Sequence, residues 1–113
     1  MEPVEIARKA VEVASEKQAT DILLLDLHGM CSFADYFVIC SAETERQVRT
    51  ICDEIDNALD AAGVRGRREG QTASGWVLLD YWDVIVHVFN PKQREYYQLE
   101  ELWIAGKTVL RIQ

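Results

Sequence analysis

The stretch Trp76-Val77-Leu78-Leu79-Asp80-Tyr81-Trp82-Asp83-Val84-Ile85-Val86-His87-Val88-Phe89 decides the fold. Two runs rich in β-branched and aromatic residues, Trp76 to Asp80 and Asp83 to Phe89, are separated by only Tyr81-Trp82, and Pro91 stops the second run. This reads as a hairpin with a two-residue turn. Asp80 then faces Asp83, Leu79 faces Val84, Leu78 faces Ile85, Val77 faces Val86 and Trp76 faces His87. Directly opposed residues share a face. One face holds Val77, Leu79, Val84, Val86 and Val88, wholly aliphatic and suited to lie beneath helices. The other holds Trp76, Leu78, Ile85 and His87, rimmed at the turn by Asp80 and Asp83. That second face is either covered by a further layer or left as an apolar centre with an acidic rim, the pattern of a protein-recognition patch. A type I′ turn needs positive φ at both central residues, which suits Asn-Gly and not Tyr-Trp. A loop of another shape is the alternative, and it would shift the faces by one residue.

Outward from the hairpin, the preceding segments alternate between helical and extended patterns. Pro3 opens an amphipathic helix to about Lys17, with Ile6, Ala7, Ala10, Val11 and Ala14 on one stripe. Ile22-Leu23-Leu24-Leu25 is a short apolar run before the turn signal His28-Gly29 and reads as a buried strand. Tyr36 to Cys40 is a second strand. Thr44-x-x-Gln47 resembles a capping box, followed by Val48, Ile51, Cys52, Ile55, Ala58, Leu59 and Ala62 at helical spacing, with Gly63 placed for a left-handed C-terminal cap. Val64 to Glu69 reads as an edge strand made polar by Arg65, Arg67 and Arg68. Past the hairpin, Arg94 to Trp103 reads as a short helix burying Tyr96, Leu99, Leu102 and Trp103. The order α-β-β-α-β-β-β-α predicts an α/β (α+β) fold, with helices packed on a mixed five-stranded sheet.

The chain has 113 residues and a formal net charge of −7, enough for one domain over 1–113 that buries roughly two-thirds of its unfolded surface. An acidic protein lacks the positive footprint that nucleic acid or an anionic membrane demands, so a basic protein partner is electrostatically favoured. The first 17 residues interleave charges with apolar positions and read as neither secretion signal nor membrane span. Cys31, Cys40 and Cys52 are odd in number and unclustered, which predicts free thiols in a reducing cytoplasm.

Several motifs, in one order, carry a resemblance. Ser32-Phe33-Ala34-Asp35-Tyr36-Phe37-Val38-Ile39-Cys40-Ser41, Glu69-Gly70, Trp76 to Asp80, Asp83 to Phe89, and Arg94-Glu95-Tyr96-Tyr97-Gln98-Leu99-Glu100-Glu101-Leu102-Trp103 are together similar to the Iojap family of ribosomal silencing factors. The likeness spans residues 3 to about 103; the segment 104–113 matches none of these motifs and reads as a loose tail. The resemblance implies a cytoplasmic, non-enzymatic translational repressor that binds the large ribosomal subunit at its ribosomal protein fourteen and blocks joining of the small subunit. It also implies a nucleotidyltransferase-like mixed sheet, a homodimer, and a partner-facing surface that includes Trp76, which favours the uncovered alternative for the second face. One departure is that the family usually carries glycine where this chain has Trp82. The patch and the resemblance together give Asp35, Tyr36, Trp76, Leu78, Asp80, Tyr81, Asp83 and His87 as the candidate partner-binding set.

The alternative is a nucleotide-handling enzyme of similar fold. Such enzymes hold Mg²⁺ between carboxylates at alternate strand positions, but the alternate position to Asp35 is Phe37. His28 and Cys31 have the spacing of half a zinc site with no second half. His87 has no identifiable nucleophile beside it. Glu69 to Gly75 lacks the following Lys or helix of a phosphate cradle. The expectation is therefore no catalytic residue, no metal and no cofactor. Arg65, Arg67 and Arg68 read as a charged, solvated edge, with a minor contact to ribosomal RNA as the alternative.

Overall fold

In the computed structural model, residues 1–102 and 107–113 are described. Helix α1 (Pro3–Glu16) begins where the Glu5 carboxylate accepts the Glu2 N–H at 2.9 Å, and it buries Ile6, Ala7, Ala10, Val11, Val13 and Ala14. Helix α2 (Glu45–Ala61) is capped by the Thr44 hydroxyl, which accepts the Gln47 N–H at 3.0 Å. The Gln47 side chain in turn accepts from the N–H of Glu43, one residue upstream of the expected box. Val48, Ile51, Cys52, Ile55 and Leu59 form the buried stripe of α2, and Gly63 leaves the helix at φ +82°.

The strands are β1 (Thr20–Asp26), β2 (Tyr36–Ser41), β3 (Arg67–Gln71), β4 (Trp76–Asp80), β5 (Val84–Phe89) and β6 (Lys107–Ile112), ordered β3-β4-β5-β2-β1-β6 across one sheet. Only β2 and β5 pair in parallel; the other four pairings are antiparallel. The sheet is thus mixed, as expected, but has six strands among the described residues and not five. The sixth comes from the segment read as a loose tail, where Ile112 faces Ile22 and Leu110 faces Leu24 along β1. With Thr108, Val109, Leu110 and Arg111 all exposed, β6 carries little of the alternation that marks a strand in the sequence. The edge strand on the opposite side, β3, is fully exposed and starts three residues later than expected. Val64 is still occupied in leaving α2, its N–H bonded to the Leu59 carbonyl at 2.8 Å.

In the hairpin, Trp76 faces Phe89, Leu78 faces His87 and Asp80 faces Ile85. The Tyr81 N–H donates to the Val84 carbonyl at 2.9 Å, so the turn is Trp82-Asp83. Each expected pairing moves by two residues, which leaves every side chain on its expected face. Of the two turn residues only Trp82 has positive φ, +67°, which is the requirement of a type II′ turn. A type II′ turn prefers glycine there, so Trp82 holds a backbone conformation that its side chain resists.

Two clusters divide the core along the two faces. Val77, Leu79, Val84, Val86 and Val88 lie with Leu24, Val38 and Cys40 beneath α1 and α2. Leu23, Leu25, Phe37, Ile39, Ile85 and Phe89 form the other cluster. That second face is largely closed, against the uncovered alternative, and no long helix does it. Leu27 and Ala34 from the β1–β2 loop and Leu99 pack there instead. The expected single helix after Pro91 is two: α3 (Pro91–Tyr97), capped by the Asn90 side chain, and α4 (Leu99–Leu102), broken apart by Gln98 at φ +45°. Tyr96, expected inside, is 78% exposed. The Leu102 side chain and Trp103 lie outside the described residues.

Candidate partner-binding surface

The expected set separates into two places on the molecule and two buried residues behind them. The first place is an apolar groove on the second face, near the β3 edge. Trp76 is half-buried at the start of β4, its ring stacked on Phe89 at 4.9 Å and tilted against Tyr97 at 4.7 Å. Together with Glu69, Gly70, Ser74, Leu78, Gln93 and Tyr97 it lines a cavity of about 390 Å³. Gly70 permits this closeness: its φ is +87°, and a Cβ there would sit 2.5 Å from the Trp76 carbonyl oxygen. Trp76 therefore presents one ring surface while the rest packs inward, and it is not the fully exposed anchor that the hairpin pattern suggested. Tyr97, half of the groove's aromatic wall and 46% exposed, was missed as a site residue. Its signal was the pair Tyr96-Tyr97, of which only Tyr96 was read, and as core.

Behind the groove lies His87, 3% exposed. The Trp76 indole N–H donates to His87 Nδ1 at 3.2 Å, which places the imidazole proton on Nε2. That Nε2 has no hydrogen-bond partner among the described residues. Phe37 packs edge-on at 4.7 Å and Phe89 lies parallel at 6.2 Å. Burial among these rings holds the imidazole neutral and pushes its pKa down to about 3. His87 was expected to touch a partner; buried here, it acts only by holding Trp76.

The second place is the turn end of the hairpin, where β2 begins. The Asp83 carbonyl accepts the N–H groups of Asp35 at 2.7 Å and Tyr36 at 3.1 Å, which laces the turn to β2. Asp80 was expected opposite Asp83 in mutual repulsion. It is instead half-buried opposite Ile85, accepting the Trp82 N–H at 2.8 Å and lying 3.9 Å from Arg67. Trp82 is 59% exposed with the Arg67 guanidinium 5.6 Å over its ring. Phe33, also 59% exposed, and Met30 stand on the nearby β1–β2 loop. Asp35 lies 3.5 Å from His28, whose other ring nitrogen is 2.6 Å from Asp26. The half-buried Tyr36 meets the His28 ring edge-on at 5.2 Å, and its phenol is raised above the usual range first by burial, then by Asp26 and Asp35.

Tyr81 is the second residue that leaves the expected surface. It is 4% exposed on the α2 side, where its hydroxyl donates to the Asp56 carboxylate; burial first, and then that hydrogen bond, raises its pKa. Each arginine of the basic cluster has an acidic neighbour: Arg65 with Asp60 at 3.2 Å, Arg67 with Asp80, and Arg68 with Asp53 at 3.0 Å and Asp56 at 2.7 Å. This is the charged, solvated edge. Cys40 and Cys52 are buried, their thiols pushed up to about 12 by burial, and inert as nucleophiles. Phe37, at the alternate position to Asp35, is buried in the second cluster.

A small α+β protein of one mixed sheet, with two long helices on one face, a loop and short helices closing most of the other, and a half-buried aromatic groove at its edge, is the class this fold and surface define. The family described as ribosomal silencing factor during starvation matches residues 1–113. The Ribosomal silencing factor RsfS of Bacillus subtilis is 42% identical over 99 residues, covering 87% of this chain and 84% of the relative. A crystal structure of a Chromobacterium violaceum protein aligns with TM-score 0.88 at 33% identity, covering 98% of this chain and 92% of that one. The mouse protein named Mitochondrial assembly of ribosomal large subunit protein 1 is 27% identical, over 82% of this chain and 42% of its own length. The chain belongs to the ribosomal silencing factor family. Its relatives are named as regulatory factors, and it is one of these and not an enzyme.

Proposed function

We propose that this protein, acting as one domain over 1–113, represses translation in the cytoplasm by binding the large ribosomal subunit at its ribosomal protein fourteen. Bound there, it blocks the small subunit from joining. Family membership supports the general role, and the mouse relative's name ties that protein to the large ribosomal subunit. The observation that carries a protein partner is the Trp76–Leu78–Tyr97 groove on a chain of net charge −7. A half-buried ring beside an open cavity can accept an apolar or cationic side chain, while Asp35, Asp80 and Asp83 favour approach of a basic surface. Trp76, Leu78, Tyr36 and these three carboxylates are the contact residues in this reading; Tyr81 and His87 hold them from behind. Any contact of Arg65, Arg67 or Arg68 with ribosomal RNA is secondary. The reading also includes self-association as a homodimer.

The test is co-sedimentation with isolated large subunits, isolated small subunits and joined ribosomes. Binding to large subunits alone, with loss of joining, is expected. Equal binding to both subunits, or binding to large subunits that still join freely, refutes the reading.

A further inference from the structure

His28 is an exposed side chain with a carboxylate beside each ring nitrogen, hydrogen-bonded on one side and in charge contact on the other. Nδ1 is 2.6 Å from the Asp26 carboxylate at the end of β1, and Nε2 is 3.5 Å from the Asp35 carboxylate just before β2. Asp26 also accepts the His28 N–H at 3.0 Å. The ring therefore spans the two ends of the β1–β2 loop, residues 27–35. From the geometry we infer that His28 is a protonation-dependent clasp on this loop, which carries Met30 and Phe33. A doubly protonated imidazolium has a donor on each nitrogen and can satisfy both carboxylates. A neutral imidazole has one N–H, so it can donate to Asp26 or to Asp35 but not to both. Loss of the proton opens one side of the clasp.

The surroundings fix the direction of titration. From β1 comes Asp26; from the start of β2 come Asp35 and Tyr36, the latter touching the His28 ring edge. The β4–β5 turn contributes Asp83, whose backbone carbonyl holds Asp35. From α1, Arg8 acts on Tyr36, and Lys107 stands opposite Asp26 in the register of β6. The hydrogen bond that the ring donates to the Asp26 carboxylate is the largest influence on His28, desolvation opposes it without cancelling it, and the Asp35 charge adds to it. Its pKa is accordingly raised above the ordinary 6.5. The closed clasp is thus the form on the acid side of that raised value, and it opens as pH climbs through it. Backbone bonds from the Leu27 N–H to the Asp35 carbonyl at 2.8 Å, and from the Met30 and Cys31 N–H groups to the Leu27 carbonyl, keep the loop's base in place either way. The change is confined to the loop and does not unfold the sheet.

The experiment is an NMR pH titration of the full chain, following the His28 ring and the backbone amides of residues 29–34. His87, buried and neutral, serves as an internal ring that does not titrate between pH 5 and pH 8. The expected result is a His28 midpoint above 6.5, with the loop amides moving at the same midpoint. Asp35→Asn lowers that midpoint, and His28→Gln abolishes the loop transition while leaving the sheet resonances unchanged. Loop amides that stay fixed while His28 titrates overturn the clasp. So does an Asp35→Asn protein whose His28 midpoint is unmoved. The wild-type titration decides on its own should either variant fold poorly.

Discussion

Replacing His87 by Phe removes a buried titratable ring while nearly filling its volume, and the effect is a change in how stability depends on pH. In the folded protein burial holds the His87 pKa at about 3, against an ordinary value of 6.5. Below pH 6.5 the unfolded chain therefore takes up a proton that the folded chain refuses, so stability falls as pH drops and recovers as it rises. For one such group the slope approaches about 1.4 kcal/mol per pH unit, and integration gives a loss of about 2.5 kcal/mol between pH 6 and pH 4. Against a typical domain stability of about 5–15 kcal/mol this is a large fraction. Carboxylates titrate over the same interval, but they do so in both proteins. Burial is the sole cause of the His87 shift, so their contribution cancels in the difference. Loss of the Trp76 hydrogen bond and any overpacking by Phe offset the variant by an amount that does not depend on pH. Urea unfolding of wild type and His87→Phe at half-unit steps from pH 4 to pH 7.5 should show the wild-type advantage shrinking towards acid with that slope. Parallel stability curves would refute the buried, neutral imidazole.

Trp76→Ala should both lower stability by about 2–3 kcal/mol, because the ring packs on Phe89 and Tyr97, and weaken large-subunit binding at least tenfold; Trp76→Phe should restore most of the stability. Unfolding midpoints and co-sedimentation separate the two effects, and an unchanged midpoint for Trp76→Ala would contradict the packing described. Trp82→Gly should raise stability by about 0.5–1 kcal/mol by relieving a positive φ that a side chain resists, measured by thermal unfolding; a loss would show that the Arg67 contact outweighs the strain. Asp80→Asn with Asp83→Asn should slow association with large subunits and flatten its dependence on salt, read by stopped-flow at several ionic strengths, and equal rates at low salt would count against the acidic end as a steering surface.

The two helices, the hairpin and its faces were legible because each carries a strong period: α2 in its three- and four-residue spacing, β4 and β5 in their alternation. The hairpin register was off by two because Tyr81 looks like a turn residue only until its partner Asp56, on α2, is known. The same long-range contact hides Tyr81 from the surface. β6 was missed because a short exposed edge strand has little apolar alternation to betray it. Face assignment survived the register error, yet it says only which residues lie together and not what lies above them. That is why Trp76, Leu78 and Ile85 could be grouped correctly while closure by the β1–β2 loop and Leu99 went unseen. His28 and Asp35 were read separately, the first as a turn residue, since seven positions of loop separate them in the sequence.

The parallel pairing of β2 with β5 at the middle of the sheet governs when this chain can fold. Synthesis delivers α1, β1, β2 and α2 first, within residues 3–61, but the neighbour of β2 arrives only at residues 84–89 and that of β1 at 107–112. Until then the half-made chain has an unpaired edge on each of its two strands, and Leu23, Phe37 and Ile39 lack the Ile85 and Phe89 that later join them. Contacts between such distant residues also make assembly intrinsically slow. The growing polypeptide is consequently at its stickiest before Val84–Phe89 has been made, so truncation ahead of Val84 leaves an aggregation-prone fragment and not a smaller working version.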